Sequence, residues 1–148
     1  MTMAKYFDFL LDEKNANDIV SSIPFAEYLN IKIQQNINGE IIFLLPFAEK
    51  NIGNPVIRAL HGGIMASFTE CAATLMIIGT VAHDHLPKCV NQTTEYLSST
   101  KDRDTFAKVK MNRVGRRVIH STTTCWQEEG KPQVISHARF LVGAAAEG

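Results

Sequence analysis

One long and almost entirely apolar run, residues 59–82, constrains the fold of this chain more than any other feature of the sequence. A Gly-Gly pair lies near its start, and a helix of about 20 residues there would span about 30 Å. A helix that is apolar on every side is buried, either in a protein core or in a membrane. The ionisable Glu70 interrupts the run and no strong Lys or Arg anchors flank it, which argues against a membrane span. We therefore predict the central core helix of a soluble domain, with one carboxylate inside it.

Composition excludes several classes of protein. The chain has 148 residues, of which 45% are apolar and 20% are charged, as expected of one globular domain and not of a disordered protein. Its formal net charge is zero, which argues against binding to nucleic acid. Three widely spaced cysteines fit neither a disulfide framework nor a zinc motif, and acidic residues occur too early for a secretory signal. We expect a cytoplasmic protein without a metal site.

Strand-like segments surround the predicted helix. Two of them, 28–35 and 39–46, flank an Asn38-Gly39 pair that is typical of a hairpin turn. Four more, joined by short turns, follow the helix and predict an antiparallel meander: 88–97, 105–114, 116–128 and 133–142. An antiparallel sheet must cover its apolar face, so we predict an α+β fold in which about six strands wrap the helix.

The N-terminal region is predicted to be separate and helical. We assign residues 1–27 to this segment and 28–148 to a single domain. A short amphipathic helix is expected over 3–11, and a second helix, capped within 15–18, is expected to end before Pro24. A central helix that is apolar on all sides needs a further partner, so we expect a homo-oligomer.

The motif His61-Gly62-Gly63, followed by Glu70 and then Thr74, resembles the hotdog-fold acyl-CoA thioesterases of the PaaI-like group. The stretches Glu95-Tyr96-Leu97-Ser98 and Gly115-Arg116-Arg117 extend the resemblance over roughly residues 30–143. It implies a hotdog fold, hydrolysis of an acyl-CoA thioester, and a homodimer or homotetramer. No cofactor is implied, because coenzyme A is part of the substrate.

The resemblance also implies roles for three residues. The N–H of Gly62 would polarise the thioester carbonyl, Glu70 would activate water or attack the carbonyl itself, and Thr74 would assist. A helix N-terminus with unpaired N–H donors suits an oxyanion. Gly62 and Glu70 are about 12 Å apart along one helix, too far to serve one carbonyl. In the family, two helices of a dimer each bring half of the site.

Each of these residues also has a structural interpretation that the sequence leaves open. Glu70 could pair with an arginine such as Arg117 or Arg139. The two glycines could permit a tight turn and close packing. His61 could form a local hydrogen bond that holds the loop, and Thr74 could bond back to its own helix.

Further candidates for substrate binding follow from the same resemblance. His61 and Gly63 are candidates for substrate binding. The Asn or Gln with which the family contacts the thioester corresponds to Pro55 in this chain, and Asn54 could replace it. A water-orienting Ser of some members falls on Cys89, with Asn91 and Thr93 predicted on the same face of the strand. Exposed cations could hold the phosphates of coenzyme A: Arg116 and Arg117, with Arg113, Lys101 and Arg103.

Two other functions compete with hydrolysis. A hotdog dehydratase needs a His three residues before Gly53, where this chain has Lys50. A non-catalytic acyl-CoA-binding module on the same fold is the other alternative. Such modules typically lack the helical acid, so Glu70 favours an enzyme.

Overall fold

Two short helices come first in the structure, a computed structural model that describes residues 12–81 and 85–143. They are α1 (Glu13–Ser21) and α2 (Pro24–Tyr28). The carboxylate of Asp12 accepts a hydrogen bond from the Asn15 N–H at 3.1 Å, so the cap of α1 lies upstream of the predicted position, although the helix does end before Pro24. The helix predicted over 3–11 lies outside the described residues.

The rest of the described residues form one long helix, eight strands and a 3-10 turn over Glu49–Asn51. The helix is α3 (Gly62–Thr80), close to the predicted bounds. The strands, in chain order, are β1 (Lys32–Gln35), β2 (Ile41–Leu45), β3 (Ile52–Asn54), β4 (Ala59–Leu60), β5 (Lys88–Tyr96), β6 (Thr105–Val114), β7 (Val118–Trp126) and β8 (Pro132–Leu141). The predicted hairpin joins β1 to β2, and Gly39 in its turn has a φ of 80° that favours glycine.

Six of the strands form one antiparallel sheet in the order β1-β2-β6-β7-β8-β5, which confirms the predicted hotdog fold. The predicted meander is correct only for β6, β7 and β8. β2 pairs with the free edge of β6, where Phe43 lies opposite Ala107, and β5 pairs instead with the edge of β8. β3 and β4 form a separate two-stranded ribbon just before α3.

α3 packs against the sheet and supplies most of the core. Phe68, Ala72 and Leu75 of this helix are fully buried, and so are Phe43 and Phe140 of the sheet. By length and composition alone α3 could also cross a membrane, but 61% of its most apolar window is buried in the fold, as in the core helix of a globular domain. The prediction that α3 is buried on every side is wrong for one stripe, because Gly63 and Glu70 are exposed and Ser67 is half-buried.

Replacing Phe68 by alanine should destabilise the domain by about 3–5 kcal/mol, because the ring is fully buried and its loss leaves a cavity. Phe25 is a matched control, since its ring is 44% exposed and its replacement should cost far less. Urea unfolding followed by circular dichroism measures both free energies. Equal losses for the two variants would contradict this description of the core.

Candidate active site

The start of α3 leaves one backbone donor free. His61 caps the helix: its ring Nδ1 accepts the Gly63 N–H at 2.8 Å, which places the ring hydrogen on Nε2. Its carbonyl accepts the N–H groups of Ile64 and Met65 at 3.0 and 3.2 Å. Among the described residues, the Gly62 N–H therefore has no acceptor in the protein, and it is the donor predicted for the oxyanion.

Glycine is required around His61 because the backbone and side chains are packed closely there. A Cβ on Gly63 would lie 2.9 Å from His61 Nδ1, and a Cβ on Gly62 would lie 3.3 Å from the ring of Tyr96. A Cβ on Gly53 would lie only 2.6 Å from His61 Cα. The local hydrogen bond proposed for His61 is thus present, and it fixes the loop from which α3 begins.

The β3–β4 ribbon holds the residue that caps α3. The His61 N–H donates to the Asn51 carbonyl at 2.8 Å, which ties the two parts of the loop together. Asn54 lies on this ribbon, and its carboxamide oxygen accepts the N–H groups of Val56 and Ile57 at 3.0 and 3.3 Å. That oxygen shapes a turn, and a contact between Asn54 and the thioester stays a prediction.

A cavity of about 360 Å³ opens beside Gly62. Leu60 and Met65 line it from the core side, and Ser99 and Thr100 line it from the loop after β5. Tyr96 forms another wall. The cavity adjoins the free donor of α3 and is large enough for a short acyl group or part of a pantetheine arm.

Glu70 lies on the open stripe of α3 and is exposed within this chain, which corrects the expectation of a buried carboxylate. The sheet covers the opposite side of the helix, and none of the residues 12–81 and 85–143 buries this side chain. No ion pair among residues 12–81 and 85–143 involves Glu70, so neither Arg117 nor Arg139 neutralises it. The Thr74 hydroxyl donates to the Glu70 carbonyl at 2.9 Å, the back-bond that mid-helix Thr often makes.

Cys89 and Asn91 lie on opposite faces of the sheet, which corrects the prediction that they share one. β5 has a bulge at this point, so Cys89 lies opposite the buried Phe140 while Asn91 lies opposite the exposed Arg139. Asn91 therefore lines an outer-face cavity away from α3. Cys89 packs against the core, and burial together with the nearby charge of Glu70 raises the pKa of its thiol.

Two side chains of β5 hold α3 in place, and the sequence analysis missed both contacts. The Gln92 amide Nε2 donates at 2.9 Å to the Ala66 carbonyl and to the Thr69 hydroxyl, one turn before Glu70. The Tyr96 hydroxyl donates to the Gly62 carbonyl at 2.7 Å. No local sequence pattern predicts these contacts, because they depend on how β5 crosses α3.

Arg116 and Arg117 are exposed in the turn between β6 and β7. β7 begins at Val118, which lies opposite Leu141, and Leu141 in turn pairs with Lys88 at the start of β5. Gly62 contacts the other end of β5, about 26 Å away at about 3.3 Å per residue. One chain therefore does not bring these cations to Gly62.

No described group of three or more His, Cys, Asp or Glu side chains is arranged to hold a metal ion. A carboxylate, a free backbone donor and a neighbouring cavity are the groups that the described chain offers. This combination fits attack of water or carboxylate on a polarised carbonyl.

Comparison with known proteins identifies relatives of this arrangement. The family model described as the thioesterase superfamily matches residues 58–133, just over half of the chain. A search of curated proteins found no match.

Three solved structures illustrate the likeness in fold. A thioesterase from Haemophilus influenzae is 18% identical, with 93% of this chain and 94% of that chain covered and a TM-score of 0.77. A phenylacetic acid degradation-related protein from Ralstonia eutropha is 16% identical, with 81% and 90% covered and a TM-score of 0.70. A Bacillus halodurans protein solved with CoA is 17% identical, with 88% and 93% covered and a TM-score of 0.69. The resemblance to hotdog thioesterases is thereby confirmed.

Replacing Glu70 by glutamine should lower the pKa of the Cys89 thiol, because it removes a nearby negative charge while burial stays the same. A lower pKa means more thiolate at a fixed, mildly alkaline pH, so iodoacetamide should alkylate Cys89 about twofold faster or more. Mass spectrometry reports each cysteine separately. Cys125 is the internal control, since its pKa is raised by burial alone. An unchanged rate at Cys89 would show that the two side chains are not neighbours.

Proposed function

Because the chain belongs to the thioesterase superfamily, we propose that it hydrolyses an acyl-CoA thioester to the free acid and CoA. The observation that carries the proposal is the Gly62 N–H at the edge of a cavity, on the same helix as the Glu70 carboxylate, both of them without a partner among the described residues. The Bacillus halodurans neighbour that was solved with CoA supports coenzyme A as the thiol of the substrate.

In the proposed reaction, the Gly62 N–H donates to the carbonyl oxygen as it gains negative charge. A donor of this kind is worth about 2.7–4 kcal/mol of transition-state stabilisation. Glu70 takes a proton from the attacking water, a C–O bond forms, and the C–S bond breaks. The proton then passes to the leaving sulfur of CoA. In the alternative route the Glu70 carboxylate attacks first, the C–S bond breaks and CoA leaves as the thiolate, and water then hydrolyses the resulting anhydride.

The complete site is proposed to lie between two subunits. Gly62 and Glu70 are about 12 Å apart along α3, so one chain does not direct both at one carbonyl. β5 is an edge strand of nine residues with one side unpaired among the described strands, and such an edge can pair with a second copy. Antiparallel pairing of the two β5 strands about a twofold axis would bring the partner's carboxylate toward Gly62. The resulting dimer can assemble further into a tetramer.

The same pairing gives Arg116 and Arg117 a role. They lie at the end of the sheet where β5 begins, two strands away from β5, so the twofold axis would place them at the same end of the sheet as the partner's Gly62. Residues 110–126 contain no Asp or Glu, and no described ion pair occupies either guanidinium. Two unpaired guanidinium groups suit the phosphates of coenzyme A.

The contacts of Lys50 with Tyr28 argue against a dehydratase. Lys50 occupies the position where that family needs a His, and its ammonium donates to the Tyr28 carbonyl at 2.7 Å and lies over the Tyr28 ring. This group is charged, exposed and engaged elsewhere, so it is poorly suited to take an α-proton.

Replacing Glu70 by glutamine should lower thiol release from acyl-CoA by about a hundredfold or more, because the variant lacks the base or nucleophile. A panel of acyl-CoAs, from short to long and from aliphatic to aromatic, is hydrolysed in the presence of a thiol reagent. Glu129→Gln is the matched control: this carboxylate is exposed in the turn between β7 and β8, outside α3 and β5, and its replacement should leave turnover unchanged.

The possible outcomes separate the competing functions. If the wild type releases no thiol but acyl-CoA raises its melting temperature, the protein is a binding module. Hydration of an enoyl-CoA would indicate a dehydratase. Full activity of Glu70→Gln would overturn the mechanism but not the fold.

Mixed dimers test whether the site is shared. Gly62→Pro deletes the donor and also adds a side chain beside Tyr96, at a position where proline is tolerated because it is the first of the helix and His61 already has the extended ψ of 132° that proline requires before it. Gly62→Pro and Glu70→Gln should each be inactive, whereas co-refolding them in equal amounts should restore about a quarter of wild-type activity, since half of the dimers then hold one intact site.

Gly62→Ala, which keeps the N–H, is the control for the proline variant. Activity that does not return on mixing, from variants that do exchange subunits, would place the site within one chain.

A further inference from the structure

Tyr96 is joined to the candidate oxyanion donor from the far end of β5. Its hydroxyl donates to the Gly62 carbonyl at 2.7 Å. Its ring lies so close to Gly62 that an added Cβ would be 3.3 Å from two ring carbons. This side chain therefore contacts both the carbonyl and the α-carbon of the residue whose N–H is free.

The backbone at this point needs an external support. Two consecutive glycines begin α3, and each costs about 1 kcal/mol relative to alanine in a helix because of its conformational freedom. An oxyanion donor is effective only when it is oriented before the charge develops. The Gly63 N–H, held by His61, and the Gly62 carbonyl, held by Tyr96, belong to the same peptide unit. The free Gly62 N–H belongs to the preceding peptide unit, so Tyr96 restrains it through the Gly62 α-carbon, which joins the two units and lies beside the Tyr96 ring.

We propose that Tyr96 is a positioning residue that orients the Gly62 N–H toward the thioester carbonyl. It acts through the carbonyl and α-carbon of Gly62, and its hydroxyl takes no part in bond making or breaking. The inference rests on the thioester hydrolysis proposed above, and it adds a residue whose function is to make the oxyanion donor rigid.

If the role of Tyr96 were purely structural, loss of its hydroxyl would lower the stability of the protein. Tyr96 is 54% exposed, so its burial contributes little to folding. Loss of the hydroxyl leaves the half-exposed Gly62 carbonyl accessible to water, which lowers the cost to stability. The effect of losing the hydroxyl should therefore fall on turnover.

Tyr96→Phe is the decisive variant, because it keeps the ring and removes the hydroxyl. Its kcat should fall about threefold to tenfold, the factor that one neutral hydrogen bond provides, while KM and melting temperature stay close to wild type. Tyr28→Phe is a matched control: Tyr28 is also 54% exposed, and its hydroxyl makes no hydrogen bond to the described residues. Equal kcat values for the two variants, or a fall explained by lost stability, would overturn the proposal.

A measurement without substrate separates this inference from the proposed function. In isotope-labelled protein, Tyr96→Phe should move the carbonyl carbon and amide resonances of Gly62, whereas Tyr28→Phe should leave them in place. If the wild type hydrolyses no acyl-CoA, the proposed function is wrong, but the resonance measurement still tests the contact between Tyr96 and Gly62. Unmoved Gly62 resonances would show that Tyr96 does not position this residue.

Discussion

The candidate site depends on how tightly the backbone is packed where α3 begins. His61 lies against Gly53 and Gly63, and the ring of Tyr96 lies against Gly62, with no room for a larger residue at Gly53 or Gly63. The ring nitrogen and carbonyl of His61 satisfy the other early donors of the helix and leave the Gly62 N–H free. The first N–H groups of a helix generally have no partner within the helix. At the start of α3, only the Gly62 N–H keeps this property among the described residues.

The sheet topology supplies the physical reason for our proposal that two subunits share the site. β5 supports α3 through Gln92 and Tyr96, and the same strand forms an exposed edge of the sheet. The stripe of α3 that carries Glu70 faces away from the sheet, and no described residue covers it. In the described chain, the edge of β5 and the exposed stripe of α3 therefore both lie next to the candidate catalytic groups. Assembly and activity are linked in our proposal for this physical reason.

Local patterns predicted the secondary structure well, and non-local contacts caused the errors. The length of α3, the β1–β2 hairpin and the bounds of β6 follow from apolar periodicity and turn residues, which act over a few positions. The pairing of β5 with β8 was predicted wrongly, because strand order depends on which sheet edge is left free. The side chains of a strand alternate between the two faces only while its pairing is regular. The bulge between Cys89 and Asn91 interrupts the pairing, so these two side chains lie on opposite faces and not on the one face that was predicted.

The sequence by itself determined that an apolar helix beginning at His61-Gly62-Gly63 would form the core and would carry one acid, because composition and spacing along the helix are local properties. Only the tertiary structure decided that Glu70 is exposed, since burial depends on which side of α3 the sheet covers. It also decided that Tyr96 contacts Gly62, because 34 residues separate them and folding alone brings them together.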